Sequence, residues 1–109
     1  MIEVRRTTEF STWLDALTDA KARAAILTRL GRLALGNPGD VQPVGAGVSE
    51  LRIDIGPGYR AYYMRAGQQV VLMLGGGDKA TQAKDIARAI KMADALRGAA
   101  KPPRPRRKK

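Results

Sequence analysis

One stretch of the chain, between Glu50 and Lys84, sets side chains able to grip a phosphate among strand and turn signals. Leu51, Ile53 and Ile55 alternate there with Glu50, Arg52 and Asp54, the period-two pattern of a half-buried strand. In the next run, strand alternation places Arg60, Tyr62 and Met64 on one side and Tyr59, Ala61 and Tyr63 on the other. A charged arginine enters an apolar core cheaply only when paired. Arg60 and Tyr62 are therefore expected on an open sheet face beside Arg52, with Tyr59, Ala61 and Tyr63 turned to the core. Guanidinium groups bind phosphate oxygens bidentately. A tyrosine beside an arginine can stack on an unpaired base, the common grip on single-stranded RNA. The competing reading is a solvated surface, with salt bridges from the arginines to Glu50 and Asp54 and Tyr62 as a half-buried strand residue.

A second group follows. Gly75-Gly76-Gly77-Asp78-Lys79 comes just before an expected helix, so it has the look of an anion-binding corner. It would add Lys79 and Gln82 to the same face. It is not a Walker A loop, because the spacing differs and the lysine-serine/threonine pair is missing. The plainer reading is a tight strand-to-helix turn capped by Asp78.

The elements that must position these residues can be read in order. Ile2 to Arg5 suits a short strand. Thr7 or Thr8 offers an N-cap, with Glu9 near the positive end of the helix dipole. Phe10, Trp13, Leu14 and Leu17 form one apolar stripe. Asp19 is the next N-cap, and Ala22, Ile26, Leu30 and Leu33 form a second stripe. Gly36 can close that helix, and Asn37-Pro38 prevents its continuation. The glycine- and proline-rich residues 36–47 read as a loop. Gly56-Pro57-Gly58 is a turn, and Val70 to Leu74 lacks polar alternation, as in a strand buried on both faces. The last helix, from near Asp78, buries Ile86, Ala89, Ile90, Ala93 and Leu96 and stops at Gly98. The expected order is β-α-α-β-β-β-α. This is an α+β domain over 1–97, an antiparallel meander with helices packed on one face. Residues 98–109 are expected to be a basic, proline-containing disordered tail.

Composition bounds the chemistry. The 109 residues allow one domain. Cysteine and histidine are both absent, which removes disulfides, thiolate metal sites and the usual neutral-pH general base. Carboxylate-only metal sites stay possible, but the ten acidic residues are scattered. The formal charge is +10, and six of the basic residues lie in the tail. Such an excess suits a polyanionic partner, whether RNA, DNA or an acidic protein. No apolar run approaches the roughly 18–20 residues of a membrane span, and the N-terminus lacks signal-peptide order. A cytoplasmic protein is expected.

Leu51-Arg52-Ile53, Gly56-Pro57-Gly58-Tyr59-Arg60-Ala61-Tyr62-Tyr63, Leu74 through Gln82 and Asp85-Ile86 together resemble the RelE/ParE toxin superfamily. The resemblance is strongest to its HigB-type, phage-Gp49-like addiction module killer proteins, and it covers residues 1 to about 97. It implies a RelE-like fold and the toxin of a type II toxin–antitoxin system, an endoribonuclease that cuts mRNA, commonly on the ribosome, without metal or cofactor. By position, Arg60 matches the arginine that contacts the scissile phosphate. Arg52 matches a basic position on the preceding strand, and Lys79 falls where relatives often carry a basic residue. Gln82 lies near a position that some relatives fill with a tyrosine or another polar catalytic residue. The resemblance thus implies catalytic roles for Arg60, Lys79 and Gln82 and a substrate contact for Arg52, and Tyr62 and Asp78 are expected as further substrate contacts. It implies a helix-turn-helix, HigA-like antitoxin as partner, through which the pair binds operator DNA, and no membrane. The gyrase-binding ParE branch shares the fold, and an inactive RNA-binding or antitoxin-docking module is a third reading.

Overall fold

A computed structural model describes residues 1–100. The expected tail lies outside the described residues from 101 onward. The elements are β1 (Glu3–Arg6), α1 (Thr8–Ala16), α2 (Ala20–Ala34), β2 (Val41–Gly45), β3 (Val48–Ile53), β4 (Tyr59–Arg65), β5 (Val70–Asp78) and α3 (Gln82–Ala100), with a 3₁₀ turn over Lys79–Thr81. They make the expected α+β domain. The sheet order is β1-β5-β4-β3-β2, with β1 parallel to β5 and the other pairs antiparallel.

Local chemistry sets the helix ends. Thr7 caps α1, its hydroxyl accepting from the Phe10 amide at 3.2 Å. Asp19 caps α2 through the amides of Lys21 and Ala22. The stripes then bury where the sequence puts them. Phe10, Leu14, Ile26, Leu30 and Leu33 pack on Leu51, Ile53, Ala61, Tyr63, Val71 and Met73.

The opposite face is not open. Val48, Tyr62, Met64 and Leu74 form a second core with Ala89 and Ala93 of α3. The expectation of helices on a single face is corrected here: α1 and α2 lie on one side of the sheet and α3 on the other. The reason is area. Each large apolar side chain is worth about 1.5–3 kcal/mol when fully buried, and Tyr62, Met64 and Leu74 would lose that on an uncovered face.

The expected loop over 36–47 contains β2, so the order gains a strand. Pro43 has no amide to donate, which confines it to an edge strand, and β2 is the edge. Its hairpin to β3 turns through Ala46 (φ 53°) and Gly47 (φ 77°), positive at both positions as a two-residue hairpin turn requires. Arg29 on α2 fixes the preceding connection by donating to the carbonyls of Arg52, Pro38 and Asp40. α3 also passes through Gly98 to Ala100. One helical glycine costs only about 1 kcal/mol and does not by itself end a helix. Among the described residues no helix is long and apolar enough to cross a membrane.

Gly75, Gly76 and Gly77 belong to β5 and pair with Tyr62, Ala61 and Arg60. They are strand, not an anion-binding corner. Interior strand glycines mark close approach. A Cβ on Gly76 would stand 2.3 Å from the Trp13 ring, and one on Gly77 would stand 1.8 Å from Asp85, whereas one on Gly75 meets nothing within 4 Å. Overpacking costs about 1–3 kcal/mol. Gly76→Ala should therefore lower the thermal midpoint by roughly 4–20 °C, while Gly75→Ala should stay within about 0.5 kcal/mol of wild type. Equal shifts from the two substitutions would show that Trp13 does not set the requirement.

Candidate functional site

The site is organised by one carboxylate. Glu50 is 1% exposed and sits on the β3 face turned towards α3. Its Oε1 accepts from Arg52 Nε at 3.1 Å and lies 3.9 Å from Arg60 Nε. Its Oε2 accepts from Tyr62 Oη at 3.2 Å and from Gln82 Nε2 at 2.7 Å. Four of the six expected site residues thus converge on a group that sequence reasoning treated only as a possible surface salt-bridge partner. The signal was present in the alternation, which puts Glu50 on the same strand face as Arg52.

Strand register explains why the carboxylate is needed. Arg52 and Arg60 are directly paired across β3 and β4, and like charges directly opposite destabilise a sheet. Glu50 lies close to both. Arg60 Nη1 also lies 3.7 Å from Asp54 Oδ1 and donates to the Tyr59 carbonyl at 3.4 Å. Its Nε is buried without a hydrogen-bond partner among the described residues. Arg52 donates through Nη2 to Gln42 Oε1.

The expected open face is corrected at this point too. The side assignment of Arg60 and Tyr62 holds, but α3 covers the sheet there. Arg60 is 6% exposed and Tyr62 is fully buried. Tyr62 has no face free for a base to stack on, and its phenol is held well above its ordinary pKa by burial first and by the Glu50 charge second. The arginines do pair with Glu50 and Asp54, but the Glu50 partner is buried rather than solvated.

Lys79 is exposed. Its amide donates to the Gly58 carbonyl at 3.0 Å, and its stem runs over Gly58. Asp78 acts as a cap, its Oδ1 accepting from the amides of Ala80 and Thr81. That is the plainer of the two readings of this turn. Asp85, which is 9% exposed, accepts from the Thr81 hydroxyl and ties the turn to α3. Neither Thr81 nor Asp85 was a candidate from sequence. Arg52 is part-exposed and reaches Gln42 of β2, and Lys79 is exposed with its stem against the Gly56-Pro57-Gly58 turn. Among the described residues no group of His, Cys, Asp or Glu is spaced to hold a metal ion.

Comparison with known proteins gives three findings. The family profile described as phage derived protein Gp49-like (DUF891) matches residues 12–97. A Haemophilus influenzae (strain Rd) protein, described only as uncharacterized, is 44% identical over 95 residues, covering 87% of this chain and 96% of its own length. Among solved structures, a copper-bound mutant toxin from Helicobacter pylori superposes with a TM-score of 0.51 at 16% identity, over 73% of this chain and 97% of its own. At that identity the likeness concerns the fold.

Tyr62 makes the buried network sensitive to alkali. Its folded pKa lies above the unfolded value of about 10. The folded state therefore holds the phenolic proton longer than the unfolded chain does. The resulting stability is complete below pH about 10 and is lost as pH rises from there towards the folded pKa. Tyr62→Phe should cost about 1 kcal/mol at neutral pH through the lost hydrogen bond to Glu50. It should also flatten the fall of the denaturation midpoint above pH about 10. Parallel pH curves for wild type and variant would show that Tyr62 ionises as freely when folded as when unfolded.

Proposed function

We propose that this chain, which belongs to the Gp49-like family of phage-derived proteins, is the toxin of a toxin–antitoxin pair and cleaves mRNA without a metal ion. The observation that carries the reading is the pairing of Arg52 and Arg60 by Glu50 at the end of the sheet where Lys79 emerges. The toxin title of the Helicobacter pylori neighbour points the same way.

In this reading the ribose 2′-oxygen attacks the adjacent phosphorus, and the 5′-oxygen departs. The 2′-hydroxyl gives up its proton, the leaving oxygen gains one, and a cyclic phosphate remains. The phosphorane carries extra negative charge, and fixed cations at that charge are the largest usual contribution to catalysis. Lys79 and Arg60 serve there, with Arg52 holding the neighbouring backbone phosphate. Gln82 and Tyr62 act one step back, as hydrogen-bond donors that hold Glu50 and through it the arginines. An amide does not exchange protons at neutral pH, so Gln82 is a positioning residue rather than an acid or base. The partner that silences the toxin is a helix-turn-helix antitoxin, which also carries the pair to operator DNA, and the substrate is mRNA on the ribosome.

The depth of Arg60 favours one rival, a toxin of the same fold that binds a protein such as DNA gyrase and cuts nothing. Induction in a host lacking the antitoxin, with RNA 5′-end mapping, separates the two. New 5′ ends should appear within minutes, and Lys79→Ala should lower their yield on the order of 10²–10³-fold without moving the thermal midpoint, because Lys79 is exposed. Growth arrest with no new RNA ends would favour the protein-binding rival.

A further inference from the structure

β1 stops at Arg6, opposite Met73, while β5 runs on to Asp78. On that side the last part of β5 has no strand neighbour among the described residues. A cleft of about 380 Å³ opens there, between α1 and the first turns of α3. Its lining includes Trp13 and Glu9 from α1, Gly75 from β5, and Asp85 and Arg88 from α3. We infer that this cleft receives the guanidinium of an arginine carried by a partner polypeptide.

Asp85 makes the first argument. It is a carboxylate nine-tenths buried, its Oδ2 accepts from a neutral hydroxyl, and no arginine or lysine pairs with it among the described residues. Buried charges are ordinarily paired. Arg88 borders the same cleft without closing an ion pair to Asp85. The missing counter-charge is therefore one that a ligand can bring.

Shape and sign make the second. Trp13 is one wall, packed on the Gly76 backbone and edge-on to Tyr59, and a guanidinium both stacks on aromatic rings and pairs with carboxylates in a fork. Glu9 and Asp85 outnumber Arg88, so the lining is net negative in a chain of formal charge +10. A nucleic-acid segment is repelled by that sign and an arginine is drawn by it. Gly75 leaves open space where any other residue would project. The inference concerns a different surface from the Arg52–Lys79 rim and stands whether or not the chain cuts RNA.

Trp13 is the chain's sole tryptophan, so its fluorescence reports the cleft directly. Titration of the full-length protein with acetyl-Gly-Arg-Gly-amide should give a saturable change in emission. The citrulline analogue, which has the shape without the charge, should bind at least about tenfold more weakly, as expected for loss of a hydrogen-bonded charge partner. Asp85→Asn should weaken the arginine peptide by a similar factor. Gly75→Val fills the cleft without touching Asp85 and should abolish the response, so it decides the matter if Asp85→Asn fails to fold. No saturable response from wild type, or equal binding of the citrulline peptide, would overturn the inference. Tighter binding of guanosine monophosphate than of the arginine peptide would overturn it too and make the cleft a nucleobase site.

Discussion

A buried carboxylate between two arginines is the constraint on which the rest of this molecule depends. Glu50 accepts from Tyr62 of β4 and Gln82 of α3 and lies beside Arg52 and Arg60. Each partner arrives from a different element or register position, so the carboxylate defines how β3, β4 and α3 meet. Stability does not explain its presence. Apolar side chains of similar volume often replace buried ion pairs with no loss, and the surrounding second core is already apolar. What an apolar residue would not do is hold two guanidinium groups opposite each other across adjacent strands. Removal of the carboxylate would leave Arg60 buried and weakly compensated, which is the costly outcome for such pairs.

The glycines of β5 carry a second consequence. A strand between helices on both faces holds them off by its side chains, which alternate from one face to the other. Gly76 and Gly77 remove that spacing on both faces in succession, letting Trp13 rest on one side of β5 and Asp85 on the other. Asp85 can then reach the Thr81 hydroxyl and fix the turn from which Lys79 extends. The same glycines leave the sheet edge thin, and the cleft beside Gly75 lies there. The turn that carries Lys79 and the cleft beside Gly75 thus share Asp85.

Much of this was legible in residue order. Period-two alternation placed Arg52, Arg60 and Tyr62 on a common face, and the apolar stripes of α1 and α2 and the caps Thr7, Asp19 and Asp78 follow from residue type. Alternation assigns a side but not a depth. The rule that charge stays out of a core suggested an open face, and its exception, a paired charge, governs here because Glu50 occupies that face as well. Val70 to Leu74 already read as apolar on both sides, which implies cover on both sides, yet the helices were expected on only one. β2 was hidden because Pro43 and the Ala46-Gly47 turn have loop composition; only pairing to β3 makes the segment a strand. The glycine run was ambiguous for a similar reason. Glycine fits a helix-entry loop and a crowded strand equally well, and the choice rests on Trp13 and Asp85, which are distant in sequence or lie in another element.

The depth of Arg60 constrains how any anion could reach it. Arg52 is part-exposed and Lys79 exposed, so in the proposed reaction they would meet a phosphate before Arg60 does. Behind them Arg60 has two carboxylates, and they differ in what it takes to displace them. Asp54 is 78% exposed and 3.7 Å away, so water already solvates most of that carboxylate. Glu50 is buried and has three hydrogen-bond donors of its own besides its pairing with Arg60. In the proposed reaction a phosphate would take the place of Asp54 at Arg60 Nη1, while the contact with Glu50 keeps the guanidinium aimed. The Asp54 side, next to the Gly56-Pro57-Gly58 turn, is consequently the route of least resistance into the site. Lys79, whose stem lies over Gly58, is placed to meet a ligand that comes that way.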